Sequence, residues 1–130
     1  MPKEPLARIL YVEDDADIRM IGKFAMENVG GFVVTDCESG EEALARAPGA
    51  APQLLLLDVM MPGMDGPTTL ARLRAQPATA ATPVVFMTAK VQPQEVQRYR
   101  ELGAIDVISK PFDPMTLSDS IRAIWNRGDG

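Results

Sequence analysis

Five side chains carry the chemistry of this sequence: Glu13, Asp14, Asp58, Thr88 and Lys110. Each follows or ends a short apolar run. Arg8 to Val12 leads to Glu13 and Asp14, and four leucines from Leu54 lead to Asp58. Pro83 to Met87 leads to Thr88, and Ala104 to Ser109 leads to Lys110. Carboxylates brought together repel one another, so a pocket of three calls for a cation. Hard oxygen ligands suit Mg²⁺, which is usually completed by water and substrate phosphate. Spacing does not separate it from Mn²⁺. A lysine and a hydroxyl offer donors to an incoming anion. The set suits phosphoryl transfer to an aspartate nucleophile.

Each residue also has a plainer use. Asp14 or Asp15 can cap a helix, as can Asp65. Thr88 is an ordinary strand residue by propensity, and a lone lysine is most often solvated. Cys37 reads as a small buried hydrophobe. The conjunction at successive strand ends favours the chemical reading, because open α/β sheets place their sites at the carboxyl ends of strands.

The elements that must position these groups follow from periodicity. Leu54 to Asp58 is too short and too uniformly apolar for a half-exposed strand, and it reads as a central parallel strand covered on both faces. Strands are also expected at 8–12, 32–35, 83–88 and 104–109. The first helix is expected over Ala16 to Val29, with an inward stripe of Ile18, Ile21, Ala25 and Val29. Ser39 and Glu42 form a capping box for a second helix that stops before Pro48 and Gly49. Asp65 with Pro67 opens a third, carrying Leu70 and Leu73 inward. Pro93 opens a fourth, with Val96, Tyr99 and Leu102. Asp113 and Pro114 begin a fifth, with Leu117, Ile121 and Ile124. Alternating strands and helices with short loops predict one α/β domain over 8–126, with a leader at 1–7 and a polar tail at 127–130.

The chain has 130 residues and a formal net charge of −5, which argues against direct nucleic-acid binding through a basic face. No apolar run approaches the ~18 residues of a spanning helix, so no membrane insertion is expected. One cysteine excludes an intrachain disulfide and suits a cytoplasmic setting. The absence of histidine removes any histidine base, ligand or phosphoacceptor from this chain.

Val12-Glu13-Asp14-Asp15, Asp58 through Gly66, Thr88-Ala89-Lys90, Gly103-Ala104 and Lys110-Pro111-Phe112 together resemble the receiver domain of bacterial two-component response regulators. The resemblance runs from about Arg8 to Trp125. It implies a flavodoxin-like, doubly wound, five-stranded parallel sheet of order 2-1-3-4-5 flanked by five helices. Asp58 matches the phosphoacceptor. Asp14, Asp58 and the backbone carbonyl of Met60 match metal ligands, with Glu13 acting directly or through water. Thr88 and Lys110 match the residues that contact the phosphoryl group and signal its presence. The implied partners are a histidine kinase or histidine phosphotransfer protein and a downstream protein target. The implied output surface is the fourth helix, fifth strand and fifth helix, on a monomer or weak dimer.

One position departs from the family pattern, and two others match its tuning positions. Val107 stands three residues before the lysine, where the family carries Tyr or Phe whose ring turns on activation. Met60 and Lys90 occupy the positions that tune phosphoryl lifetime. On the first helix, Met20 and Phe24 lie off the inward stripe and are expected to form an exposed apolar patch where a histidine-bearing partner docks. No output domain follows the fifth helix, so the sequence reads as a single-domain regulator or as a piece of a longer one. Two other readings compete with a phosphoaccepting signalling module whose own catalysis is limited to self-phosphorylation and autodephosphorylation. An aspartyl-phosphate hydrolase on a similar sheet would need a cap insertion, and no loop here is long enough to supply one. A degenerate receiver that acts only as an interaction module would not need the full set of five residues.

Overall fold

A computed structural model describes residues 4–127. The strands are β1 (Arg8–Val12), β2 (Val33–Cys37), β3 (Leu54–Asp58), β4 (Val84–Thr88) and β5 (Asp106–Ser109). The helices are α1 (Ala16–Phe24), α2 (Gly40–Ala50), α3 (Gly66–Arg74), α4 (Pro93–Glu101) and α5 (Leu117–Arg127). All strand pairs are parallel, in the order β2-β1-β3-β4-β5. This is the doubly wound, flavodoxin-like order expected above.

Alternation hidden inside the apolar strands separates two cores. Ile9, Tyr11, Leu54, Leu56, Val85 and Met87 face Ala25, Met26, Leu117, Ile121 and Trp125. Leu10, Leu55, Leu57, Val84 and Phe86 face Ala43, Ala47, Leu70, Leu73 and Tyr99. Both faces of β3 are therefore covered, and all five of its residues are buried. Crossovers of one hand then bring the ends of β1, β3, β4 and β5 to one edge.

The first helix departs from expectation. It is α-helical only to Phe24 and continues through Ala25–Val29 as a π-turn, with the Gly30 N–H donating to the Ala25 carbonyl. The Ser118 hydroxyl on α5 donates to the same carbonyl at 3.1 Å. The inward face is Gly22, Ala25 and Met26, whereas Ile21 and Val29 are 45% and 44% exposed. The reason is Tyr11. A Cβ on Gly22 would lie 2.5 Å from the Tyr11 hydroxyl oxygen, so only a glycine lets α1 close onto β1. A stripe drawn through large apolar residues misses that contact.

α2 also differs, running through Pro48 and Gly49 to Ala50. Proline at 48 has no N–H for the Leu44 carbonyl, and the Gln76 side-chain amide donates to that carbonyl at 2.9 Å instead. The fifth helix begins at Leu117, later than the Asp113-Pro114 start. Asp113 caps the turn before it, accepting from the Met115 N–H at 2.8 Å. The leader residues 4–7 are tied to the domain. Leu6 is buried, and the Glu4 carbonyl accepts from the Trp125 indole at 3.0 Å. Arg127, placed in the polar tail, ends α5 and pairs with Asp106. The rest of that tail, 128–130, lies outside the described residues. Among the described residues no helix is long and apolar enough to cross a membrane.

Candidate functional site

Asp58 ends β3 with a side chain 3% exposed. Its place is set by the turn that follows. Gly63 takes a positive φ of 75°, and the chain then returns so that Gly66 presses on the strand end. A Cβ on Gly66 would sit 2.5 Å from the Asp58 carbonyl oxygen, so this close approach requires glycine. Asp65 caps α3, accepting from the Thr68 N–H at 2.8 Å, and so takes the structural role rather than a ligand role.

Glu13 and Asp14 leave the end of β1. Asp15, not Asp14, caps α1, accepting from the N–H groups of Asp17 and Ile18 at 2.9 and 3.0 Å. Asp14 is exposed at the rim, while Glu13 is 1% exposed. The Arg19 guanidinium holds this turn by donating to the Glu13 carbonyl at 2.8 Å. Carboxylate oxygens of Glu13, Asp14 and Asp58 lie within 4.8 Å of one another. Three convergent oxygens, two of them from buried groups, fit a hard divalent cation and not a soft one.

Lys110 enters from the β5–α5 loop. Its ammonium donates to Glu13 Oε1 at 2.7 Å and to Asp58 Oδ1 at 3.2 Å. Burial works against its charge, but the two carboxylates outweigh burial and raise its pKa above the ordinary lysine value. Asp58 is shifted the other way in chemical sense. Burial first, then Glu13 alongside, raises its carboxyl to about 7, against the opposing pull of Lys110. One lysine does not neutralise two buried carboxylates, so the cluster has a standing affinity for a further positive charge. A basic carboxylate is also the better nucleophile.

Thr88 ends β4, is 2% exposed, and accepts from the Lys90 N–H at 3.1 Å. Its backbone carbonyl accepts from the Lys110 N–H at 2.9 Å, joining the two loops. Met60 and Lys90, two residues beyond Asp58 and Thr88, have exposed side chains. Val107 lies opposite Phe86 in the β4–β5 register and packs on the same core face. Met20 and Phe24 are 65% and 63% exposed. They line a groove on the β2 side of α1 with Arg19, Lys23 and Asp36. A second hollow of about 380 Å³, almost wholly apolar, lies on the other side of α1, between Ile18, Ile21, Ala89, Pro111, Phe112 and Pro114, with Lys110 at its wall. Sequence reasoning missed this hollow because it assigned Ile21 to the core. It missed Gly66 as well, although the glycine stands in the quoted motif.

Comparison with known proteins agrees with this geometry. A model of the family described as response regulator receiver domain matches residues 9–122. The phosphate regulon transcriptional regulatory protein PhoB of Escherichia coli is 38% identical over 120 residues, 92% of this chain and 52% of the relative. The transcriptional regulatory protein CseB of Streptomyces coelicolor is 37% identical over 119 residues, 92% of this chain and 49% of the relative. This chain thus spans about half the length of the curated relatives it matches. Among solved structures, chemotaxis protein CheY4 of Vibrio cholerae superposes with a TM-score of 0.83 at 30% identity, covering 92% of this chain and 98% of that one. A response regulator from Chloroflexus aurantiacus gives 0.79 at 32% identity, covering 92% and 97%.

Proposed function

The chain belongs to the response regulator receiver domain family, and from that premise we propose that Asp58 accepts a phosphoryl group from a phosphohistidine on a kinase or phosphotransfer protein. The observation that carries this reading is the buried Asp58 carboxylate at the end of the central strand, facing Glu13, Asp14 and the Lys110 ammonium. One Asp58 oxygen attacks phosphorus in line, the P–N bond to the histidine breaks, and the leaving imidazole takes the electron pair. Lys110 is placed to turn from Asp58 Oδ1 to a phosphoryl oxygen through a charge-assisted bond. Thr88 supplies a hydroxyl donor at the neighbouring strand end. Glu13 keeps Lys110 in position throughout. Glu13, Asp14, Asp58 and the Met60 carbonyl would hold Mg²⁺ or Mn²⁺, which when bound supplies positive charge against the phosphoryl oxygens. The protein's own catalysis is confined to self-phosphorylation and to hydrolysis of the resulting acyl phosphate. Incubation with a small phosphoryl donor and Mg²⁺ should attach one phosphoryl group per chain, released by hydroxylamine as an acyl phosphate is. Label resistant to hydroxylamine would refute the reading.

The metal reading has its own readout. Binding to the folded state alone raises stability by mass action. Millimolar Mg²⁺ should therefore raise the melting temperature of the wild-type chain by several degrees, roughly 2 kcal/mol at ~30-fold excess over Kd. Asp14→Ala, an exposed position, should fold normally and lose most of that gain. An undiminished gain in the variant would place the cation elsewhere.

Partner docking is proposed on α1. Met20 and Phe24 offer one exposed apolar face. The Ile21 side adjoins Lys110 directly, so a partner that brings a phosphohistidine to Asp58 would cover it. Phe24→Ala and Ile21→Ala should each slow transfer from the protein donor about tenfold, a typical anchor loss. Labelling by the small donor should be unchanged. Equal loss in both assays would signal damage to the fold. The output reading, a surface of α4, β5 and α5 that changes with phosphorylation to control a downstream protein, rests on the joining of Thr88 and Lys110 to the loops before α4 and α5.

A further inference from the structure

Of the three converging carboxylates, Asp14 is the exposed one. Glu13 is buried and held at both oxygens, by the Lys110 ammonium at 2.7 Å and by the Asp15 N–H at 3.2 Å. Asp58 is buried at the end of β3 and receives Lys110 at 3.2 Å. Asp14 stands at the rim, where repulsion from two buried carboxylates turns an unrestrained carboxylate outward. Its direction is therefore set through the backbone. The ladder between β1 and β2 ends at the Glu13 N–H, which donates to the Cys37 carbonyl at 3.0 Å. Beyond that bond the chain leaves the sheet, and Arg19 on α1 takes over. One guanidinium nitrogen donates to the Glu13 carbonyl at 2.8 Å and lies 3.5 Å from the Asp14 carbonyl. These carbonyls belong to the two peptide planes that flank the Asp14 Cα, so holding both holds its φ and ψ and the direction of its side chain. The guanidinium is braced in turn. Its Nε pairs with Asp36 on β2 at 3.6 Å, and Lys23, one helical turn along, pairs with the same carboxylate at 3.2 Å. The Asp36 carbonyl accepts from Arg46 on α2 at 2.7 Å, which steadies the far end of the brace.

We propose that Arg19, braced on Asp36, is a positioning residue for the cation site: it fixes the turn at Glu13 and Asp14 so that the exposed Asp14 carboxylate already stands with Asp58 before a cation arrives. This rests on the reading of Glu13, Asp14 and Asp58 as divalent-cation ligands. Arg19 is not itself a ligand, and its positive charge alone works against a cation. What it contributes is order, because the cation need not then immobilise a mobile ligand. Outer groups that orient metal ligands are commonly worth on the order of tenfold or more in affinity. Arginine suits this use and lysine does not. A planar fork serves backbone carbonyls on one side and a carboxylate on the other, whereas a single ammonium is a point charge without that span. Asp36, on the edge strand β2 and outside the converging carboxylates, thereby acts on the site through Arg19.

The test is calorimetric titration of the full chain with Mg²⁺, with the metal-free melting temperature and backbone order parameters measured beside it. Arg19→Lys keeps the charge and should weaken Mg²⁺ binding about tenfold. Arg19→Gln should weaken it as well, although it removes a positive charge near the site. Asp36→Asn leaves Arg19 in place and loosens its brace, so it should weaken binding in the same direction by a smaller factor. In the metal-free Arg19→Lys chain the order parameter of the Asp14 amide should fall from about 0.85 toward about 0.6. Labelling by a small phosphoryl donor should need about tenfold more Mg²⁺ for its half-maximal rate and should reach the wild-type rate at saturation. An arginine that only clasps α1 to β2 would lower the melting temperature and leave both the Mg²⁺ affinity and the Asp14 amide unmoved, which would overturn the proposal. Should Arg19→Gln not fold, Arg19→Lys and Asp36→Asn carry the test. Unchanged affinity in those two while Asp14→Ala weakens binding, or tighter binding in Arg19→Gln, overturns the positioning role alone. No binding to the wild-type chain, or binding that Asp14→Ala leaves intact, overturns the cation reading and the positioning role together.

Discussion

Asp58→Asn is expected to take up less than about one-hundredth of the label that the wild-type chain takes from a small phosphoryl donor in Mg²⁺, since removal of a nucleophile leaves only the surrounding binding groups. The amide keeps the shape of the carboxyl but has no anionic oxygen to attack phosphorus. Glu13 is the nearest other buried carboxylate. It already receives Lys110 at 2.7 Å and receives the Asp15 N–H at 3.2 Å on its second oxygen. Both of its oxygens are therefore already held by donors, which fixes the side chain in place and makes Glu13 a poor substitute. Asp14 is exposed at the rim, away from the buried end of β3 where Asp58 and Lys110 meet. Mass spectrometry of the labelled chain would find the phosphoryl group on the peptide that carries Asp58. Full labelling of the variant at another residue would remove Asp58 from the centre of the mechanism.

The strand ends were readable because the candidate polar groups and the folding signal coincide there. β1 and β3 have the bounds expected from their apolar runs, since a fully buried strand tolerates no polar side chain until it emerges. Glu13, Asp58 and Thr88 stand at those emergence points. Lys110 was readable as a type and position, but its partners were not. Its ion pairs with Glu13 and Asp58 span 97 and 52 residues of sequence, and no local pattern reports them. The errors have one physical source. Ile21 and Val29 were placed inward by hydrophobicity, yet the space against β1 was already taken by the Tyr11 ring, which admits only Gly22. Pro48 was read as a stop, yet the carbonyl it leaves unpaired is satisfied by Gln76 from a different element. In each case a side chain distant in sequence decided the local outcome. Tyr99 belongs to the same class. At helical spacing it was one apolar residue among three. Only the fold reveals that Val96 is half-buried, Leu102 is 45% exposed, and Tyr99 carries the contact alone.

The same Asp58→Asn change that abolishes labelling is expected to stabilise the fold, and the gain should depend on pH. In the folded chain the Asp58 carboxyl titrates near 7, against 3.8 for the free side chain. Between those values the folded state holds a proton that the unfolded state has released. Stability of the metal-free wild type therefore falls as pH rises across that window, with a limiting slope of about 1.4 kcal/mol per pH unit. An amide at this position does not titrate. It also places no second negative charge beside Glu13 and leaves the Lys110 pair with Glu13 in place. In chelator at pH 4 the two proteins should be nearly equal in stability. By pH 8 the variant should be more stable by about 2 to 4 kcal/mol, the upper figure being the full shift at 1.36 kcal/mol per unit. Urea denaturation at several pH values would measure this. Adding millimolar Mg²⁺ should shrink the difference, because the cation favours the ionised wild-type carboxylate and gains less from a neutral amide. A variant less stable than wild type at pH 8, or a difference that stays flat from pH 4 to 8, would mean that Asp58 is not held in a charge-averse site. The proposal that burial makes Asp58 a basic nucleophile would then fail.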